Sequence, residues 1–78
     1  MNAAIREHDA VVLAHDLPTL RLEQGDVGAI VHVYADGQAV EVEFVSGDGT
    51  TVAVETLAMT DVRPLGRGEI LHARPIAA

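Results

Sequence analysis

The chain has 78 residues, a net charge of −7 and no cysteine. That length holds one domain with one thin core, and a chain without cysteine has no disulfide staples and no thiolate metal site. The charge argues against nucleic acid and anionic membrane surfaces as partners, since both need clustered cations. There is no lysine; the five cations, Arg6, Arg21, Arg63, Arg67 and Arg74, are scattered among twelve carboxylates. About half the residues (49%) are apolar, but Tyr34 and Phe44 are the only aromatics, so the core must be aliphatic. A core this small favours oligomerisation as a route to stability.

Residues 1–7 carry charges of both signs and do not read as a signal peptide. No apolar run approaches the roughly 20 residues that span a bilayer. The expected location is the cytoplasm. The first strand is expected over residues 9–14 (DAVVLA). Residues 15–25 follow, with Pro18 and no steady period. Residues 26–35 (DVGAIVHVYA) form the strongest strand pattern, rich in β-branched residues. Asp36-Gly37 is a two-residue hairpin signal. The third strand is expected over 38–45, a turn at Ser46-Gly47-Asp48-Gly49, the fourth strand over 50–56, a short link over 57–60, and a brief fifth strand over 61–65. Pro64 suits an edge position there. Residues 66–78 read as a flexible tail or a short extra strand over 69–73. The domain is thus set at 1–65 and the tail at 66–78.

The pairing register follows from the turns. A two-residue Asp36-Gly37 turn opposes Val33 to Val40, Val31 to Val42 and Ala29 to Phe44, all on one face. A three-residue Gly47-Asp48-Gly49 loop opposes Phe44 to Val52 and Val42 to Val54, with Gly49 in the left-handed region. The expected inner wall is therefore Ala29, Val31, Val33, Val40, Val42, Phe44, Val52 and Val54. A central three-stranded antiparallel meander between a first and a fifth strand is the order of a small five-stranded SH3-like barrel, so the expected class is all-β.

The residues His8-Asp9 through Leu13, Asp16-Leu17-Pro18, Leu22, Gly25 to Tyr34, Glu41 to Phe44 and Arg63-Pro64-Leu65 resemble a small bacterial family of uncharacterised domains. The resemblance runs over about residues 8–65 and implies an SH3-like barrel. It carries no catalytic or binding residues. The tail after Leu65 does not map onto that pattern.

On the outer face the expected register puts His32, Glu41 and Glu55 in one row. Two opposed carboxylates need a positive neighbour, which His32 supplies. The row reads first as a solvated surface pair; the alternative is a metal site or a pH-sensitive interface. Beside it lie Tyr34, Ala39 and Leu57, and Ile30 and Val45 also face outward, so this face is not cleanly polar. Ile30, His32, Tyr34, Glu41 and Glu43 are the expected interface residues. Neither His8-Asp9 nor His15-Asp16 makes a dyad by adjacency, because strand neighbours point to opposite faces. Gly25 and Gly28 precede no helix and so form no phosphate cradle; they read as a turn into a strand, then a close backbone approach or a bulge inside it.

No constellation for an enzyme or a bound cofactor emerges. The functional expectation is a non-enzymatic protein-interaction or accessory module whose partner is another protein or a second copy. The alternative is a small-molecule or metal-binding barrel built around His32, with RNA binding a weaker third.

Overall fold

Branched side chains pack best on a pleated surface, and the runs that carry them form the strands. The computed structural model describes residues 5–76. It contains β1 (Ala10–Leu13), β2 (Val27–Val33), β3 (Ala39–Val45), β4 (Thr51–Ala58) and β5 (Val62–Pro64). They make one antiparallel sheet in the order β4-β3-β2-β1-β5. The sheet is open: its edge strands β4 and β5 are not paired with each other. Two 3₁₀ turns, Pro18–Leu20 and Met59–Asp61, are the only helical pieces among the described residues. Proline at the first position of the former has no N–H to leave unpaired. The second turn falls at the link expected before the fifth strand. The ends of the expected domain and tail, residues 1–4 and 77–78, lie outside the described residues.

Both hairpin turns set the register the sequence implies, and in both a bulge then changes it. Val33 opposes Val40 and His32 opposes Glu41 as expected, but the reversal is a four-residue loop over residues 35–38 rather than a two-residue Asp36-Gly37 turn: the Gly37 N–H donates to the Tyr34 carbonyl and the Tyr34 N–H to the Ala39 carbonyl. The register then shifts, and Ile30 rather than Val31 opposes Val42. Past the second turn Val45 opposes Thr51, after which another shift sets Phe44 against Ala53 and Val42 against Glu55. Gly49 has φ +85°, in the left-handed region expected of it. Each extra residue, Val31 and Val52, interrupts the alternation and turns the strand beyond it over.

The expected inner wall is corrected accordingly. Val40, Val42 and Phe44 are buried and Val33 is half-buried, but Ala29, Val31, Val52 and Val54 are exposed. Ile30 and Leu57 take their places, joined by Val11, Leu13, Leu22 and Val62. The physical reason lies in side-chain size. In β2 the bulge buries isoleucine in place of valine, an extra CH₂ that adds about 0.8 kcal/mol of burial. In β4 an unbroken register would set Thr56 against Val40; the bulge sets Leu57 there instead. A core with one phenylalanine gains from both exchanges.

Gly28 lies against β3 with no room for a side chain. A Cβ at this position would lie 2.5 Å from Val42 Cγ1 and 2.9 Å from both the Glu43 carbonyl and Phe44 Cε1. The expected close backbone approach is present.

Residues 65–76 form no strand, so the extra strand over 69–73 is absent. They run back across the molecule and are held by side chains. Arg63 makes a bidentate pair with Glu69, both N···O distances 2.7 Å. Glu69 Oε1 also accepts the Gly66 N–H.

Candidate binding groove

The outer face does not assemble the expected site. Ile30 is 0% exposed and belongs to the core, because the bulge at Val31 turns it inward. It is therefore removed from the expected interface set. His32 and Glu41 do lie opposite each other, but Glu41 opposes Thr56, and Glu55 sits on the other face against Val42. The row of His32, Glu41 and Glu55 is not formed. Among the described residues, no three His, Asp or Glu side chains are placed to hold a metal ion. Tyr34 donates its hydroxyl to Glu41 Oε1 at 3.0 Å, and its ring meets His32 edge to face at 4.7 Å. Thr51 donates to Glu43 Oε2 at 2.6 Å. Neighbouring hydroxyls, rather than His32, thus satisfy these carboxylates.

His15 does not act with Asp16. Its Nε2 lies 2.7 Å from Asp61 Oδ1, tying the long first loop to the second 3₁₀ turn. Asp16 instead accepts the Gln24 N–H at 2.8 Å and closes that loop on itself.

A concave feature of the described residues lies at the end of this loop. Leu17 and Leu22 bridge the long loop, and a turn over residues 23–26 leads into β2. Asp26 Oδ2 accepts the Glu23 N–H at 2.8 Å and fixes this turn. The turn stands across from the β3–β4 loop, and a cavity of about 470 Å³ lies between them. Leu22, Val27, Phe44, Val45 and Val52 supply its apolar wall, and the tail roofs it with His72, Arg74 and Ile76.

Asp26 is 8% exposed, the one charged residue buried among the described ones. Its partner comes from the tail. Arg74 Nε donates to Oδ1 at 2.8 Å and an η nitrogen to Oδ2 at 2.7 Å, a bidentate pair. The same η nitrogen donates to the Arg21 carbonyl at 3.1 Å. His72 Nε2 stands 3.3 Å from Asp26 Oδ1. Burial raises the Asp26 carboxyl, but the Arg74 hydrogen bonds, the Glu23 N–H and the nearby cation outweigh it, and its pKa lies below the ordinary value. Arg74 is held correspondingly above its own.

Sequence reasoning assigned these residues no role, yet a signal was present. Val62-Arg63-Pro64-Leu65 is echoed by Ala73-Arg74-Pro75-Ile76. Both arginines fold alike. Each makes a bidentate carboxylate pair, and each donates to the carbonyl of the proline that follows it, at 3.2 and 3.1 Å. The proline fixes φ and pushes the arginine toward an extended backbone.

Fold and site together define a small all-β domain: one antiparallel sheet of five strands with a groove at the entry to β2. The chain belongs to the family described as Domain of unknown function (DUF4926), whose model matches residues 7–64. Asp26 and the apolar wall lie inside the matched segment, and Arg74 lies beyond it. No curated protein and no solved structure matches the chain. No helix among the described residues is long and apolar enough to cross a membrane.

Proposed function

We propose that this domain is a non-enzymatic protein-interaction module of SH3-like build, acting in the cytoplasm, and that its binding site is the groove at the entry to β2. The strand order, the long loop between β1 and β2 and the 3₁₀ turn before β5 support the SH3-like reading. One observation carries the choice of site: an apolar trough ends at a buried carboxylate. Apolar wall gives area, and a fixed charge gives register, which is how grooves recognise extended segments. The net charge of −7 favours a basic partner. The lack of cysteine is the ground for the cytoplasm.

The test is selection from a displayed peptide library on the 78-residue chain, with the tail released by Arg74→Ala. Selected peptides should shift the amide resonances of Val27, Phe44 and Val45. Failure to enrich any peptide, or shifts confined to the outer face around His32 and Tyr34, would overturn this choice of site.

A second reading, a small-molecule site, is favoured by the cavity volume, since about 470 Å³ is within the usual range for such ligands. Thermal shifts with a metabolite library, absent with peptides, would support it. The outer face remains the surface for self-association, with Val31 and Val54 exposed beside His32, Tyr34, Glu41 and Glu43. A monomer at high concentration in sedimentation would rule that out.

A further inference from the structure

The tail is attached to the groove in an unusual way for a structural segment. Its large apolar residues are poorly covered: Ile70 is 95% exposed, Leu71 66%, and Ile76, which lines the groove, still 57%. None joins the core cluster. What seats residues 72–76 is polar, the Arg74 guanidinium on Asp26 and the Arg21 carbonyl, with His72 beside them. A segment held by one arginine is exchangeable, because any competing guanidinium presented in the same geometry makes the same bonds.

The carboxylate and its counter-charge also fall on different sides of the family boundary. Asp26 lies within the matched family segment, which ends at residue 64. Without Arg74 it is a carboxylate beside Glu23 at the end of an apolar trough, an arrangement that favours a cation. In this structure the guanidinium of the tail takes that place. Ala73-Arg74-Pro75-Ile76 repeats the local form of Val62-Arg63-Pro64-Leu65. The proline holds the arginine extended, so little ordering is left to do on binding.

Resting on the interaction-module reading, we propose that the groove is a receptor for an extended Arg-Pro-aliphatic segment of a protein partner. Residues 73–76 are a copy of that ligand carried in cis, which the partner's segment displaces. Occupancy is then a competition between a tethered ligand at high effective concentration and a free one.

The test uses a synthetic peptide with the sequence of residues 71–76, blocked at both ends, and the 78-residue chain. It is titrated into the wild type and into Arg74→Ala, with amide chemical shifts read throughout. Release of the tail should tighten peptide binding about tenfold or more, as expected when a tethered competitor is removed. The shifts should centre on Leu22, Asp26 and Phe44. Replacing the peptide's arginine with alanine should abolish binding, and replacing it with lysine should weaken it, because the bidentate fork is lost. Arg74→Lys is the milder release and should fall between the two proteins. Equal affinity for wild type and Arg74→Ala, with shifts still in the groove, would overturn the cis ligand and leave the groove standing. Shifts elsewhere on the molecule would overturn both. A wild-type dimer that Arg74→Ala converts to monomer in sedimentation would place the tail in a second copy's groove, and would also overturn the cis arrangement.

Discussion

Single atoms decide the tightest points of this molecule. At Gly28 a methyl group has no room against Val42, Glu43 and Phe44. Gly28→Ala should therefore destabilise the fold by about 1–3 kcal/mol, the usual cost of overpacking, as a lower midpoint in urea denaturation. Two surface carboxylates are tuned in the other direction. The Ser46 hydroxyl and the Thr50 N–H hold Asp48 down to about 2, from 3.8. Arg63 and the Gly66 N–H hold Glu69 down to about 2, from 4.5. Both values are depressed on folding, so their contribution is fully present above the ordinary carboxylate values and is lost as pH falls toward 2. NMR titration of the side-chain carboxyls should find both well below their ordinary values, and Ser46→Ala should return Asp48 toward its ordinary value. The Asp48 turn was legible in the sequence because its residue types are turn formers. The Glu69 pair was not, because nothing local links residue 63 to residue 69.

At the level of strands, the bulges separate what the sequence could show from what it could not. Turn chemistry is local, and Asp36-Gly37 and Gly47-Asp48-Gly49 gave the correct pairing next to each turn. A bulge is chosen by the whole core, which weighs Ile30 against Val31 and Leu57 against Thr56. Alternation along one strand is equally compatible with either choice. The difference is measurable. Ile30→Ala should cost about 2–5 kcal/mol, as for a fully buried aliphatic, whereas Val31→Ala should cost about 0.5 kcal/mol or less. The reverse order in equilibrium unfolding would restore the unbroken register. The same displacement explains the failure of the expected His32, Glu41 and Glu55 row: His32 and Glu41 pair on the turn-proximal side of the first bulge, while the second moves Glu55 to the opposite face.

Over the whole molecule, the long-range contact of most consequence joins residue 26 to residue 74. Sequence separation hid it, and so did the tail's composition, since glycines at 66 and 68 and a proline at 75 read as disorder. The Arg-Pro echo was the available clue. Arg74→Ala removes the counter-charge of Asp26 and releases the tail. The Asp26 carboxyl should then rise from below its ordinary value of 3.8 toward it, because the Arg74 hydrogen bonds and charge are lost while the Glu23 N–H remains. Stability near neutral pH should drop by about 1.5–3 kcal/mol, the usual net worth of hydrogen bonds to a charged group. In the wild type Asp26 favours folding above its unfolded pKa, and this is lost as pH falls through its lower folded value; in the variant that pH dependence should shrink. Chemical denaturation across pH 3–7 would display the difference.

The bulges also bear on how length can change among chains of this fold. Removing Val31 would leave Ile30 beside His32, opposite Val42 and Glu41, and the ladder would run on with every side chain keeping its present face. Removing Val52 would do the same for Ala53 and Thr51 against Phe44 and Val45. A loss of one residue at either point is therefore silent to the core, whereas the same loss a few positions away inverts a strand. Single-residue gaps in an alignment of such chains belong at these two valines, in mid-strand, rather than in the loops where gaps are customarily placed.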